Sequence, residues 1–514
     1  MLFNSKEFIF VFLPVVLFVF LMLQRTSGQR YIYIWLSFCS LVFYSWWNPL
    51  YSWLLVASVL GNFFIGKQIM KRRSGRGKYL FLAGICLNLS TIGYYKYSAF
   101  FLNTASITFG GDGSFEALLL PLGISFFTFQ QLTYLVDAYR GDAKDYAFFP
   151  YATFVTFFPQ LIAGPIVHHG EMMPQFENKD GPQTRFGEDF AVGISIFIIG
   201  CFKKVIIADH LAVIATPIFE ASGSASLSFF TAWMGALAYT FQLYFDFSGY
   251  SEMAVGIARM FGIVLPVNFN SPYKSTSIID FWRRWHITLS RFLRDYIYIP
   301  LGGNRRGEAR RYFNLMLTML IGGLWHGAGW TFVFWGFLHG IYLVVNQFWR
   351  EGVKKLGSPK IWFSGFLGWL ITFLAVVYGW VFFRAESFSS AMTMISAMSQ
   401  WHEVEFPQSL FPFGSSLATS LNLKLVNTGG VTFAYNWLAI IAAGTIAVWG
   451  RNVVELFEDY KPVIGFDWDK QLSSSRFFVW NPNLLWAVIL GCMFYFITTS
   501  LLVSELSEFL YFNF

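Results

Sequence analysis

Long apolar runs alternate with short polar loops along this chain, and the runs have the length of a bilayer's hydrocarbon core. They fall at residues 8–23, 31–47, 53–66, 80–95 and 117–136, the third being shorter than the others. Further runs occupy 151–165, 191–207, 229–247, 315–323, 331–345, 366–381, 434–449 and 484–503. Backbone polar groups in lipid must pair within the protein, and these runs lack the period-two alternation of barrel strands. The pattern therefore predicts an all-α polytopic membrane protein of roughly eleven to thirteen transmembrane or re-entrant helices, the shorter runs being the re-entrant ones.

Composition agrees: 55% of residues are hydrophobic and 13% charged, which excludes a soluble globular domain. The run at 8–23 has a thin basic flank and no small-residue cleavage site, so it reads as a retained first span. Cys39, Cys86, Cys201 and Cys492 stand singly in apolar segments without ligand spacing and read as inert core thiols.

Lysine and arginine set the orientation. Arg25 and Arg30 flank the first loop, and Lys67, Lys71, Arg72, Arg73, Arg76 and Lys78 crowd the third, so both are expected in the cytoplasm with the N-terminus outside. The net charge of +7 is then a topological signal, with no nucleic-acid partner implied. The chain reads as one integral-membrane domain over 1–514: N-terminal helices to 150, the motif-bearing part over 151–350, and C-terminal helices and loops over 351–514. The polar stretches 171–189, 387–430 and 451–482 are expected to be loops or short interfacial helices. No internal repeat of the kind that builds transporters is visible.

Against this apolar background a few polar residues stand out. Gly322-Gly323-Leu324-Trp325-His326-Gly327 places an imidazole between helix-interrupting glycines, inside an uncharged stretch. An ionisable group at membrane depth suggests function, and a neutral His can take a proton from a reacting hydroxyl; a structural His bonded to a backbone carbonyl is the competing reading. His339 lies thirteen residues on, about 220° round a regular helix, and should face elsewhere.

The segment from Phe281 to Asp295 reads as one amphipathic helix along the interface. Phe281, Trp285, Leu289, Phe292 and Tyr296 share a face, Arg283, Arg284, Arg291 and Arg294 spread over the other, and His286 sits on the border, one turn from Trp282. Membrane anchoring and phosphate holding by the arginines both fit. The glycine turn Pro300 to Gly307, with Asn304, matches no phosphate-loop fingerprint. Phe245 to Met253 puts Asp246 and Glu252 beside Ser248 and Tyr250 at the end of an apolar run, where a buried carboxylate must be protonated or paired, an arginine of the 281–295 helix or an imidazole being the candidate partners. Residues 158–165 form a broken apolar segment able to line a cavity. His168 and His169 follow, but adjacent histidines usually diverge, so no metal site is expected. Without a G-x-S-x-G elbow, H-E-x-x-H, Walker A or polar-set cysteine, a lone buried His suggests direct group transfer without a covalent enzyme intermediate.

Pro159-Gln-Leu-Ile-Ala-Gly-Pro165, Tyr244 to Met253, Phe281-Trp-Arg-Arg-Trp-His286 through Asn304, and Gly323-Leu-Trp-His-Gly327 together resemble the membrane-bound O-acyltransferase family. The similarity leans to its bacterial alginate O-acetyltransferase branch, and the opening Met1-Leu-Phe-Asn-Ser and closing residues 509–514 are similar to that branch too. The resemblance implies helices in a ring around a thin centre with a funnel, in the bacterial inner membrane. It makes His326 the essential histidine and His286 the second motif position. It further implies a thioester donor such as acetyl-CoA, no tightly bound cofactor, a polysaccharide acceptor such as alginate, and a periplasmic SGNH-type partner.

On this reading His326 acts as general base on the acceptor hydroxyl, and His286 polarises the carbonyl or stabilises the oxyanion. Asp246, Ser248, Tyr250, Trp282, Arg283, Arg284, Trp285, Asn304 and Trp325 are the candidate binding and supporting residues. Acetylation of peptidoglycan, D-alanyl or longer acyl transfer, a polysaccharide or acyl transporter, and a scaffold are the alternatives.

Overall fold

The computed structural model describes residues 1–26, 28–72, 75–177, 186–223, 227–355, 364–401, 404–411, 415–427, 429–468, 478–503 and 507–510. It is helical almost throughout. A π turn at Phe8–Phe12 leads into α1 (Leu13–Thr26), followed by α2 (Gln29–Ser45), α3 (Ser52–Lys71), α4 (Arg76–Ile92) and α5 (Ser98–Thr108). Then come α6 (Ile124–Arg140), α7 (Phe148–Thr156), α8 (Phe158–Leu161), α9 (His169–Glu177), α10 (Phe186–Phe202), α11 (Asp209–Ala221) and α12 (Phe229–Met260). The motif-rich part holds α13 (Ile278–Arg284), α14 (Ile287–Leu293), α15 (Glu308–His326), α16 (Trp330–Lys355) and α17 (Ser364–Arg384). The remainder is α18 (Phe388–Ser399), β1 (Val404–Pro407), α19 (Ser415–Ser420), β2 (Leu423–Val426), α20 (Gly430–Trp449), α21 (Val453–Leu456) and α22 (Leu484–Val503).

Seven helical stretches among the described residues are long and apolar enough to cross a membrane: Phe8–Thr26, Pro49–Lys71, Phe186–Ala221, Trp330–Lys355, Gly365–Arg384, Gly430–Trp449 and Leu484–Val503. The short run at 53–66 belongs to a helix of 20 residues that simply continues through Gly66 and Lys67. The run at 117–136 becomes helical only at Ile124, because Gly123 takes a left-handed φ of +67° behind Pro121. The run at 151–165 is broken at Phe157, as expected of an interrupted segment.

Two expectations are corrected here. The stretch 387–430 contains a parallel two-stranded ladder, Val404 opposite Leu423 through Pro407 opposite Val426. Strands of four residues are too short to show a period in the sequence. Cys39 and Cys201 are buried, but Cys86 and Cys492 are exposed on helix surfaces, so only two of the thiols are core. Arg73 of the basic third loop, parts of the three polar stretches and residues 511–514 lie outside the described residues.

The chain divides into two compact units. One contains Met1–Phe202, Gly249–Asn268 and Val453–Phe514; the other contains Lys203–Ser248 and Phe269–Asn452. In the first, the chain's two ends meet on one ring, Tyr250 stacking against Phe3 and Phe509 at 4.7 Å each. Asn62 of α3 and Asn88 of α4 exchange side-chain amide bonds of 2.7 and 3.2 Å, an internal polar pairing suited to a lipid surround. Lys67 at the end of α3 pairs with Asp145 beyond α6 at 3.3 Å.

Candidate active site

The second unit carries the site. α15 and α16 form a tight helical hairpin because Gly323 and Gly336 face each other: a Cβ on Gly323 would meet Gly336 Cα at 3.0 Å and drive into the Phe332 carbonyl. Small residues allow such backbone approach between membrane helices. α15 ends at His326, where Gly327 turns to extended backbone (φ −161°, ψ 151°). The imidazole thus sits at an interrupted helix end, 2% exposed.

Its surroundings are aromatic. The His326 ring lies 4.8 Å from Trp325, 5.0 Å from Trp335 at 90°, and 5.2 Å from Phe383. Trp325 also touches His286 at 5.8 Å, and Phe247 meets His286 edge-on at 4.7 Å. The two motif histidines therefore share one indole.

His286 is placed by a break that the apolar pattern did not show. The expected single helix from Phe281 to Asp295 is two helices: α13 stops at Arg284, Trp285 is extended, and His286 takes a left-handed φ of +42° before α14. A left-handed non-glycine residue costs of order 1–3 kcal/mol and persists where its surroundings over-determine it. The break turns His286 from the border of an amphipathic face into the core, fully buried. Desolvation lowers its pKa to about 3, keeping the ring neutral. Trp285 is buried against Trp380 at 4.9 Å and Phe269 at 5.1 Å.

His339 does not face elsewhere. The Gly327 turn ends α15, so helical angle cannot be counted from His326 to His339, and α16 runs back with His339 fully buried in the same cluster. Trp282 Nε1 donates to His339 Nδ1 at 3.2 Å, and Trp335 packs on both His339 (4.7 Å) and His326. A ring accepting at Nδ1 carries its proton on Nε2. Trp335, Trp380 and Phe383 were missed from sequence and His339 was set aside; the spacing of Gly323, Gly336 and Gly340 was the available signal for the hairpin that brings them in.

Other candidates go elsewhere. The 245–253 motif lies inside α12, a helix of 32 residues that continues past the end of the apolar run. Asp246 pairs with Lys204, 2.7 Å away, which also reaches Asp209 at 2.8 Å; Lys204 was not among the partners expected for it. A π turn at Lys203–Ala208 between α10 and α11 places that lysine. Ser248 is fully buried, whereas Tyr250 belongs to the other unit with Phe3 and Phe509. Arg284 pairs with Asp280 through Nε, 3.0 Å from each carboxylate oxygen, while Arg283 and Asn304 are exposed.

Comparison with known proteins gives the class of this helical membrane chain. Residues 74–392 match the model of MBOAT, the membrane-bound O-acyltransferase family. The chain belongs to that family and is an O-acyltransferase. It is 41% identical to a peptidoglycan O-acetyltransferase of Helicobacter pylori, over 100% of this chain and 98% of the relative. It is 42% identical to the probable alginate O-acetylase AlgI of Pseudomonas aeruginosa, over 85% of this chain and 81% of the relative. A teichoic acid D-alanyltransferase of Streptococcus thermophilus is 28% identical over 52% of this chain and 69% of its own length.

Proposed function

We propose that this protein transfers an acetyl group from a cytoplasmic thioester, acetyl-CoA being the simplest, to hydroxyls of an extracytoplasmic cell-envelope glycan. The carrying observation is His326, buried among indoles at the broken end of α15. In such a dry site a neutral imidazole takes the acceptor's proton as the hydroxyl oxygen bonds to the acyl carbon. The carbon–sulfur bond then breaks, and the proton passes to the leaving thiolate. General-base help of this kind contributes about 10²- to 10⁴-fold, and positioning supplies much of the rest. His286, which shares the Trp325 indole with His326, is assigned to the carbonyl oxygen. Trp282, Trp285 and Trp325 shape the surround, and Asp246 acts through Lys204.

The family's ring of helices around a funnel, the inner-membrane location and a periplasmic SGNH-type partner belong to the same reading. Its acceptor is a glycan of the class that the two O-acetylating relatives are named for. The end-to-end match with the peptidoglycan enzyme favours peptidoglycan over alginate. The test is release of labelled acetyl from acetyl-CoA by the purified protein in nanodiscs, wild type against His326→Ala, with peptidoglycan fragments or alginate, with and without an SGNH partner. His326-dependent transfer to one acceptor supports the reading. No turnover with either acceptor, from a folded protein, overturns acetyl-CoA as donor or these glycans as acceptors.

A further inference from the structure

In the first unit, Asp137 on the last turn of α6 meets His168 and His169 at the start of α9. His168 Nε2 lies 2.6 Å and His169 Nε2 2.9 Å from the same Asp137 Oδ2. The two rings are 4.4 Å apart, so these neighbours converge where adjacent histidines were expected to diverge. The reason is local: His169 opens α9, and Gly170 N–H donates to His168 Nδ1 at 3.1 Å, folding that ring back over the helix start.

We propose that Asp137, His168 and His169 form a binding site for a divalent transition-metal ion of the zinc type. Their ligand atoms all lie within 4.8 Å of one another. Two imidazoles with one carboxylate make a borderline donor set that suits zinc better than magnesium or calcium, and it leaves a fourth position open. The scaffold is firm. The Asp137 carbonyl accepts from Gly141, Asp142 and Ala143 at 2.9, 2.8 and 3.2 Å, capping α6, and Tyr146 Oη sits 3.1 Å from His169 Nδ1. That hydroxyl is the outer partner that a ligating histidine needs. Asp137 and His169 are buried, while the His168 side chain is 33% exposed, which provides the route for the ion. By the basic-loop orientation this end of α6, beside the Lys67–Asp145 pair, faces the cytoplasm.

Protons balance on binding. Each imidazole now gives its Nε2–H to Asp137. When the ion takes Nε2, the ring proton moves to Nδ1, where Tyr146 oxygen accepts it at His169. At His168 the displaced Gly170 N–H turns to water, which costs little because that contact is exposed. Donors around a tetrahedral ion with bonds of about 2.0–2.1 Å sit roughly 3.3 Å apart, so the two histidine–Asp137 distances open by about 0.4 to 0.7 Å.

The experiment uses the full chain purified without a polyhistidine tag, stripped with chelator in nanodiscs and titrated with Zn²⁺, then with Co²⁺ as a spectroscopic probe. About one Zn²⁺ per chain is expected, with a tetrahedral Co²⁺ absorption band and a raised Tm. His168→Ala, at the exposed ligand, should retain the fold and weaken binding at least 10- to 100-fold, and Asp137→Asn should do the same. His326→Ala should bind like wild type, which separates this site from the acyl-transfer reading. Substoichiometric zinc in wild type, or equal retention by His168→Ala and Asp137→Asn, overturns the proposal and leaves a hydrogen-bonded pin between α6 and α9.

Discussion

His326 and His169 are equally buried, each 2% exposed, yet their surroundings differ in kind. His326 is packed by Trp325, Trp335 and Phe383, whose faces supply little hydrogen bonding. His169 holds a carboxylate on one nitrogen and a phenol on the other. Rings give His326 a dry, low-dielectric wall, whereas a carboxylate and a phenol tie the His169 ring by charge and hydrogen bonding. Burial alone does not assign a histidine; the chemistry of the wall does.

The largest effect expected of this contrast is on catalysis. His326→Ala should lower acetyl transfer by 10³-fold or more while the protein still inserts and purifies, read as turnover of labelled acetyl-CoA. Full activity in that variant would remove the mechanism. His286→Ala should cost about 10²-fold in rate, the scale of losing one oxyanion donor. An unchanged rate with a lowered Tm would return His286 to a packing role, its left-handed φ being structural alone.

A second set tests whether the ionic and the aromatic regions obey different rules. Lys204→Met removes the cation beside the buried Asp246 carboxylate and should destabilise by about 3–5 kcal/mol, measured by thermal or denaturant unfolding in detergent. Adding Asp246→Leu should restore much of that loss, since apolar replacement of a buried pair is often neutral. If the double variant is no better than the single one, Asp246 has a role beyond its lysine. Smallest is Gly336→Ala, whose new methyl would press on Met319 and Gly323 in the α15–α16 hairpin. A loss of about 1–3 kcal/mol is expected, with a rate loss larger than stability explains, because the hairpin sets His326.

Helix content, membrane residence and the family were legible in the sequence, and His326 stood out there as a candidate. Apolar runs of bilayer length report spans because lipid leaves the backbone no other partner, and a lone imidazole among glycines is conspicuous for the same reason. Helical angle failed wherever the backbone left the helix, at Trp285–His286 and at Gly327, and those are the positions on which the site depends.

The partners were decided only in three dimensions. Nothing in the order of residues links Asp246 to Lys204, Asp137 to the two histidines, or His339 to Trp282, since each pair comes from separate helices brought together by packing. A sequence determines which residues are too apolar for water and which are too polar for lipid. Which polar group meets which is settled by how closely helices approach, and here glycine pairs and backbone breaks set that distance.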